Sequence, residues 1–199
     1  MFITLEGIDN TGKTEQTLLL KKHIGDKAIR TREPGGCPIS EKIREALVQG
    51  TSETMDGTTE LLLMNAQRRE HIKQTIKPTL DEGNVIVCDR YIDSTLAYQG
   101  AAIDEPTILG FHKQLCFNLF PDIVFLIDLD PMISYQRETN KEESRFESKG
   151  LIYMISVRDR FLERAEKNPD THIIINGEMS IEEIHKEICK EYDDRISNR

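Results

Sequence analysis

Basic charge falls short of acidic charge in this chain. Its 26 Lys and Arg stand against 35 Asp and Glu, a formal net charge of −9 and a pI near 5.1. A binder of duplex or single-stranded nucleic acid needs a basic face for the phosphates, so nucleic acid polymers are not expected partners. Overall acidity still allows a local basic pocket for a small phosphate ligand. Cysteine is sparse: Cys37, Cys88, Cys116 and Cys189 form no C-x-x-C pair, so neither a metal centre nor a disulfide framework is expected. Cys88 and Cys116 have apolar neighbours and read as small core residues. Such usage suits a reducing cytosol. The longest apolar run, Ile123–Ile127, is far too short to span a bilayer, and no membrane association is expected. The N-terminus enters a strand at once without a signal or transit segment, which gives a cytoplasmic expectation. No internal repeat, low-complexity tract or linker breaks the 199 residues, and 38% apolar with 31% charged content fits one folded α/β domain over residues 1–199.

What is present begins at Gly7-Ile8-Asp9-Asn10-Thr11-Gly12-Lys13-Thr14. This G-x-x-x-x-G-K-T spacing, after a short apolar run and before a helix-compatible segment, is the phosphate-binding P-loop pattern. Its two glycines let the backbone turn tightly and aim successive N–H groups into an anion nest. The following helix adds the positive end of its dipole. Lys13 brings a compact charge to the β- and γ-phosphates, and the Thr14 hydroxyl can ligate Mg²⁺. A donor such as ATP with Mg²⁺ is the implied cofactor pair.

Apolar runs alternate with helical patterns, which predicts a parallel sheet wrapped by helices. Strands are expected at Phe2–Glu6, Lys27–Thr31, Val85–Cys88, Ile123–Asp128 and His172–Asn176. Helices are expected at Lys13–Ile24, Ser40–Gln49, Thr58–Leu80, Ser94–Ala101, Pro106–Asn118, Pro131–Gln136, Gly150–Lys167 and Ser180–Arg195, the last opened by a Ser180/Glu183 capping box. Ligands of such sheets sit beyond the carboxyl ends of the strands, where the P-loop, Arg32 to Gly36, Asp89-Arg90-Tyr91 and the polar stretch Arg137 to Lys149 all fall. Asp89 reads as an acid near Mg²⁺ or as a turn aspartate; Arg90 and the P-loop favour the first. Arg32, Arg68 and Arg90 are the guanidinium groups expected in the cleft, although helix periodicity alone puts Arg68 and Arg69 on a solvated face. The Arg137–Gly150 stretch lacks a core stripe and reads as a surface turn or a lid. No arginine lies in the P-loop itself, so charge in the transition state needs a guanidinium from elsewhere. Phe111, Phe117, Phe125, Tyr153 and Phe161 read as core, and no role attaches to His71 or His112.

Gly7–Thr14, Thr31-Arg-Glu-Pro-Gly-Gly36, Asp89-Arg-Tyr-Ile-Asp-Ser94 and Ala97-Tyr-Gln-Gly100 together resemble the thymidylate kinase (dTMP kinase) family, as do Arg68 in a long helix ending Ile76-Lys-Pro78 and Pro121-Asp122. The resemblance implies a nucleoside monophosphate kinase with a five-stranded parallel sheet, usually a homodimer, transferring the γ-phosphoryl group of ATP to dTMP with Mg²⁺. By motif position, Asp9 faces the dTMP sugar and phosphate, Arg32, Glu33 and Pro34 line the acceptor site (about residues 32–100), and the Glu33–Pro34 bond is a candidate cis bond. Arg68 and Arg90 together hold the acceptor phosphate and base edge; Ser94, Thr95 and Gln99 lie near the thymine edge; Tyr98 lies against the sugar. Ser144-Arg145-Phe146-Glu147 is similar to the family's lid signature (lid about residues 137–150), which makes Arg145 the first and Arg137 the second catalytic arginine beside Lys13, Asp89 and Arg90. Thr14 and Asp89 are the implied metal ligands. Three positions depart from the pattern: Glu15 where Ser or Thr is usual, Met64 where an aromatic usually stacks on thymine, and Ser156 where many members carry arginine.

Two other readings compete. Met64 leaves open a kinase of dUMP, CMP, dGMP or a broader set. A P-loop switch would need a guanine-reading N-K-x-D, but Asn140-Lys141 is followed by Glu142-Glu143.

Overall fold

A sheet covered by helices on both faces needs apolar side chains on both, and the expected strand runs supply them. The computed structural model describes residues 1–48, 55–137 and 150–197. Its strands are β1 (Phe2–Glu6), β2 (Ala28–Arg32), β3 (Val85–Asp89), β4 (Ile123–Asp128) and β5 (His172–Asn176). They form one parallel five-stranded sheet in the order β2-β3-β1-β4-β5. Central β1 is buried at every residue, whereas edge strands β2 and β5 expose part of theirs. The chain crosses from one side of β1 to the other between β3 and β4, and that switch point opens a crevice at the carboxyl end of β1.

The helices are α1 (Lys13–Ile24), α2 (Pro38–Val48), α3 (Gly57–His71), α4 (Lys77–Asp81), α5 (Ile92–Gln99), α6 (Glu105–Leu115), α7 (Pro131–Gln136), α8 (Leu151–Lys167) and α9 (Ile181–Ser197). Most expected bounds hold within two residues; α6 ends three residues early, at Leu115. The main correction concerns the single helix expected over Thr58–Leu80. A π-turn at Ile72–Ile76 splits it, with the Lys77 amide donating to Ile72 O five residues back. Pro78 explains the break: it has no N–H, and its ring crowds the carbonyl four residues earlier, so the ladder widens just ahead of it. The Ser180/Glu183 box forms as expected, with Ser180 N donating to Glu183 Oε2 at 2.9 Å and Glu183 N to Ser180 Oγ at 3.2 Å.

One face of the sheet packs Leu20, Ile184 and Ile188 against Ile3, Leu5, Phe125 and Ile127. The other packs Ile72, Ile76, Tyr91 and Ile108 against Phe2, Ile86 and Cys88. A third cluster, with Ile8, Ala97, Tyr98, Val157 and Phe161, seats α5 and α8 beside the P-loop. Phe125 and Phe161 are core as expected, while Phe111 and Tyr153 are only partly buried. Phe117 is a correction: it is 45% exposed, and the Arg69 guanidinium lies 4.6 Å from its ring centroid. Among the described residues no helix is long and apolar enough to cross a membrane. Phe125→Ala removes a ring from the centre of the first cluster and should lower unfolding free energy by about 3–5 kcal/mol, read as a shifted urea midpoint at unchanged slope.

Candidate active site

At the end of β1 the chain turns through Gly7 (φ 135°), where an added Cβ would sit 2.4 Å from Ile127 O. Gly12 (φ 87°) occupies the N-cap of α1 without a side-chain cap. The first amides of α1 are therefore open to an anion. Lys13 donates to Ile8 O and, at 3.1 Å, to Thr11 Oγ1. Burial and the neighbouring Arg90 lower its pKa to about 8. Asn10, Gly12, Lys13 and Thr14 line a wide cleft together with Asp9, whereas Gly7, Ile8 and Thr11 do not line it. Thr14 Oγ1 donates to Asp89 Oδ2 at 2.7 Å. Those two hard oxygens, one from each side of the crevice, lie close enough to share an octahedral cation.

Asp89 ends β3, and Arg90 follows in the left-handed region (φ 69°). That turn aims its guanidinium back across β1. Nη1 donates to Gly7 O at 2.7 Å and Ser94 Oγ at 3.1 Å, Nη2 donates to Asp9 Oδ1 at 2.6 Å, and the Tyr98 ring lies 5.3 Å away. Tyr98 donates to Asp9 Oδ2 at 3.1 Å. Burial raises the Asp9 pKa, but Arg90 and Lys13 outweigh it and hold the carboxyl below its ordinary value.

A second cleft adjoins the first and shares Asp9, Glu33, Arg44 and Arg90 with it. Asp9, Glu33, Pro34, Met64, Arg90, Ser94, Tyr98 and Gln99, all expected near an acceptor, line it. The Glu33–Pro34 bond is cis. Arg32, by contrast, opens onto the wide cleft and donates to Glu41 at 3.0 Å. Arg68 corrects the periodicity reading that gave it a solvated face. It is 0% exposed, with Nε on Glu33 Oε2 at 2.7 Å and Nη2 on Thr95 Oγ1 at 2.8 Å. Thr95 thus stands behind Arg68 and outside the cleft lining. Arg68 Nη1 and Gln99 Oε1 are buried and find no hydrogen-bond partner among the described residues. Arg137 lines the wide cleft and donates to Gly177 O at 3.1 Å. Arg145 and most of the expected lid lie outside the described residues. Glu15 is exposed on the wide cleft; Ser156 lines neither cleft and donates to Tyr153 O at 2.8 Å.

The family model for thymidylate kinase matches residues 5–188. The chain belongs to the thymidylate kinase family. It is 41% identical to the thymidylate kinase of Magnetococcus marinus, over 98% of this chain and 96% of the relative. It is 42% identical to that of Sulfurihydrogenibium sp., over 93% of each. A crystal structure of thymidylate kinase from Ehrlichia chaffeensis superposes with a TM-score of 0.77 at 36% identity, covering 96% of this chain and 98% of that one.

Sequence reading missed several residues that shape this thymidylate kinase fold's crevice. Arg44 lines both clefts and donates to Pro34 O at 2.7 Å; Leu47 and Val48 close the smaller one. Arg44 lies on a helix whose charged residues carry no motif, so spacing gave no signal. His71, left without a role, bonds Glu33 Oε1 at 3.0 Å through Nδ1 and Thr31 Oγ1 at 2.6 Å through Nε2. Glu6 is the clearest omission: a carboxylate ending a fully buried strand was a legible anomaly. It accepts from Tyr91 N at 2.7 Å and from Ser94 Oγ at 2.6 Å. Burial, then the nearby Asp93, raises its pKa from an ordinary 4.5 to about 8. A carboxyl raised on folding contributes stability that is full below its unfolded pKa and is lost as pH climbs through the folded one. Melting temperature should therefore fall between about pH 4.5 and pH 8. Glu6→Gln, a neutral isostere, should flatten that slope in thermal melts across the same range.

Proposed function

We propose that the chain transfers the γ-phosphoryl group of ATP to dTMP, giving ADP and dTDP, with the two nucleotides in the adjoining clefts. The observation that carries this reading is the shared wall: Asp9, Glu33, Arg44 and Arg90 line both clefts. Donor and acceptor phosphates then meet at Arg90. Each pair of unit charges about 4 Å apart repels by roughly 4 kcal/mol at an effective dielectric near 20. Guanidinium forks and open amides of α1 offset that repulsion by hydrogen-bonding the oxygens directly. An acceptor phosphate oxygen forms the new bond to the γ-phosphorus as the bond to the β-γ bridging oxygen breaks, and ADP carries away the electron pair. A phosphate oxygen is already anionic, so the chain's task is alignment and charge neutralisation.

This reading assigns the residues as follows. Lys13 and the α1 amides hold the donor phosphates. Thr14 and Asp89 would hold Mg²⁺, which would supply positive charge to offset that of the donor phosphates. Arg90 holds the acceptor phosphate, and Asp9 with Tyr98 braces it against the sugar. Buried Arg68 Nη1, a donor, and Gln99 Oε1, an acceptor, complement the adjacent O4 and N3–H of thymine. Met64 packs its thioether on the ring face. Arg145, outside the described residues, is the arginine assigned to neutralise charge on the transferring group, and Arg137, on the wide cleft, is second. The four cysteines are free thiols, in keeping with a cytoplasmic enzyme.

The same reading includes a homodimer. Leu62 on α3 is 48% exposed, and Phe117, 45% exposed, lies against Arg69 two turns along the same helix, so this side of the molecule carries two exposed large apolar side chains. Leu62→Glu should convert a dimer to a monomer in sedimentation velocity; a species of unchanged mass would remove that face from consideration.

An ADP-release assay with ATP, Mg²⁺ and a panel of monophosphates tests the activity. dTMP should be the preferred acceptor; equal rates with dUMP, CMP and dGMP would sink the base assignment. Arg145→Ala should lower kcat by about 10³ with little change in the dTMP KM, and Arg137→Ala by less.

A further inference from the structure

We infer that Glu60, a residue outside the phosphoryl-transfer machinery, determines which pyrimidine the acceptor cleft takes by fixing the orientation of the Gln99 amide. This deepens, and rests on, the reading of that cleft as the dTMP site. Glu60 lies in the first turn of α3 and is 4% exposed. Its Oε2 accepts from Gln99 Nε2 at 3.1 Å. Gln99 is the last residue of α5, is 3% exposed and lines the cleft.

A carboxamide has a donor end and an acceptor end of nearly equal shape, so its two flipped states differ only in hydrogen bonding. A carboxylate can accept and cannot donate. Beside Glu60 the NH₂ end must therefore face the carboxylate, which commits Oε1 to the other side. That oxygen is buried and has no partner among the described residues. An acceptor held this way is completed by an N–H on the ligand. Thymine and uracil present one at N3. Cytosine presents a bare lone pair there, which would face the lone pairs of Oε1. A site built around a hydrogen bond rejects the analogue lacking it far more strongly than an apolar wall would.

In Glu60→Gln the neighbour can donate as well as accept. Gln99 can then turn its NH₂ toward the base and accept from the new amide. Steady-state kinetics of wild type and Glu60→Gln, with ATP, Mg²⁺ and dTMP, dUMP or dCMP, test this. The ratio of kcat/KM for dTMP over dCMP should drop at least about tenfold in the variant, mainly through KM, with dUMP following dTMP. A ratio unchanged within about twofold beside a lowered melting temperature would show that Glu60 only supports α3, and the inference fails. If wild type itself does not prefer dTMP and dUMP to dCMP, the reading of the cleft fails first, a separable result. Should Glu60→Gln not fold, a wild-type crystal with dTMP decides. N3 on Oε1 with Nε2 kept on Glu60 supports the assignment, and Nε2 on the base overturns it.

Discussion

The Arg90 guanidinium donates at once to Gly7 O, Ser94 Oγ and Asp9 Oδ1, and through those bonds the end of β1, the P-loop and α5 share one anchor. Reaching it needs a left-handed backbone at a non-glycine residue, a conformation disfavoured by about 1–2 kcal/mol. Three hydrogen bonds to partly buried groups offset that cost. The result is a cation whose position is set from three elements before any nucleotide arrives. A fixed cation costs no reorganisation when charge develops beside it.

Behind this anchor lies a second charged group with different logic. Glu33, Arg68 and His71 have fully buried side chains, and Glu33 bonds Arg68 through one carboxylate oxygen and His71 through the other. Burial raises the Glu33 pKa, yet Arg68 and His71 prevail and keep the carboxyl below its ordinary value. Buried ion pairs of this kind often add little net stability relative to apolar side chains of similar volume. Their contribution here is placement: Glu33 and Thr95 hold Arg68 so that its remaining Nη1 donor stays uncommitted.

Much of this was legible from local pattern. Strand runs, the P-loop spacing and the clusters after each strand located the sheet and the crevice because each rule is short-ranged. Misreadings arose where distant residues decide. Arg68 has the periodicity of a surface residue, and only Glu33, thirty-five positions away, makes its burial tolerable. The π-turn at Ile72–Ile76 depends on a proline that could as easily have ended the helix. Arg44, Leu47 and Val48 enter the cleft through the packing of α2 on α3, which no motif encodes. His71 needed both Thr31 and Glu33 as partners before it had a place. Glu6 alone broke a local rule in plain view.

Helices α5 and α8 are joined along much of their length. Tyr153 donates to Tyr98 O at 2.7 Å, Arg160 to Ala97 O at 3.3 Å, and Arg164 to Asp93 at 2.9 Å, while Tyr98 and Phe161 meet edge to face. One of these helices carries Ser94, Tyr98 and Gln99; the other continues directly from residue 150. A pair braced at this many rungs resists sliding, so Ser94, Tyr98 and Gln99, which line the smaller cleft, keep fixed places relative to the first turns of α8.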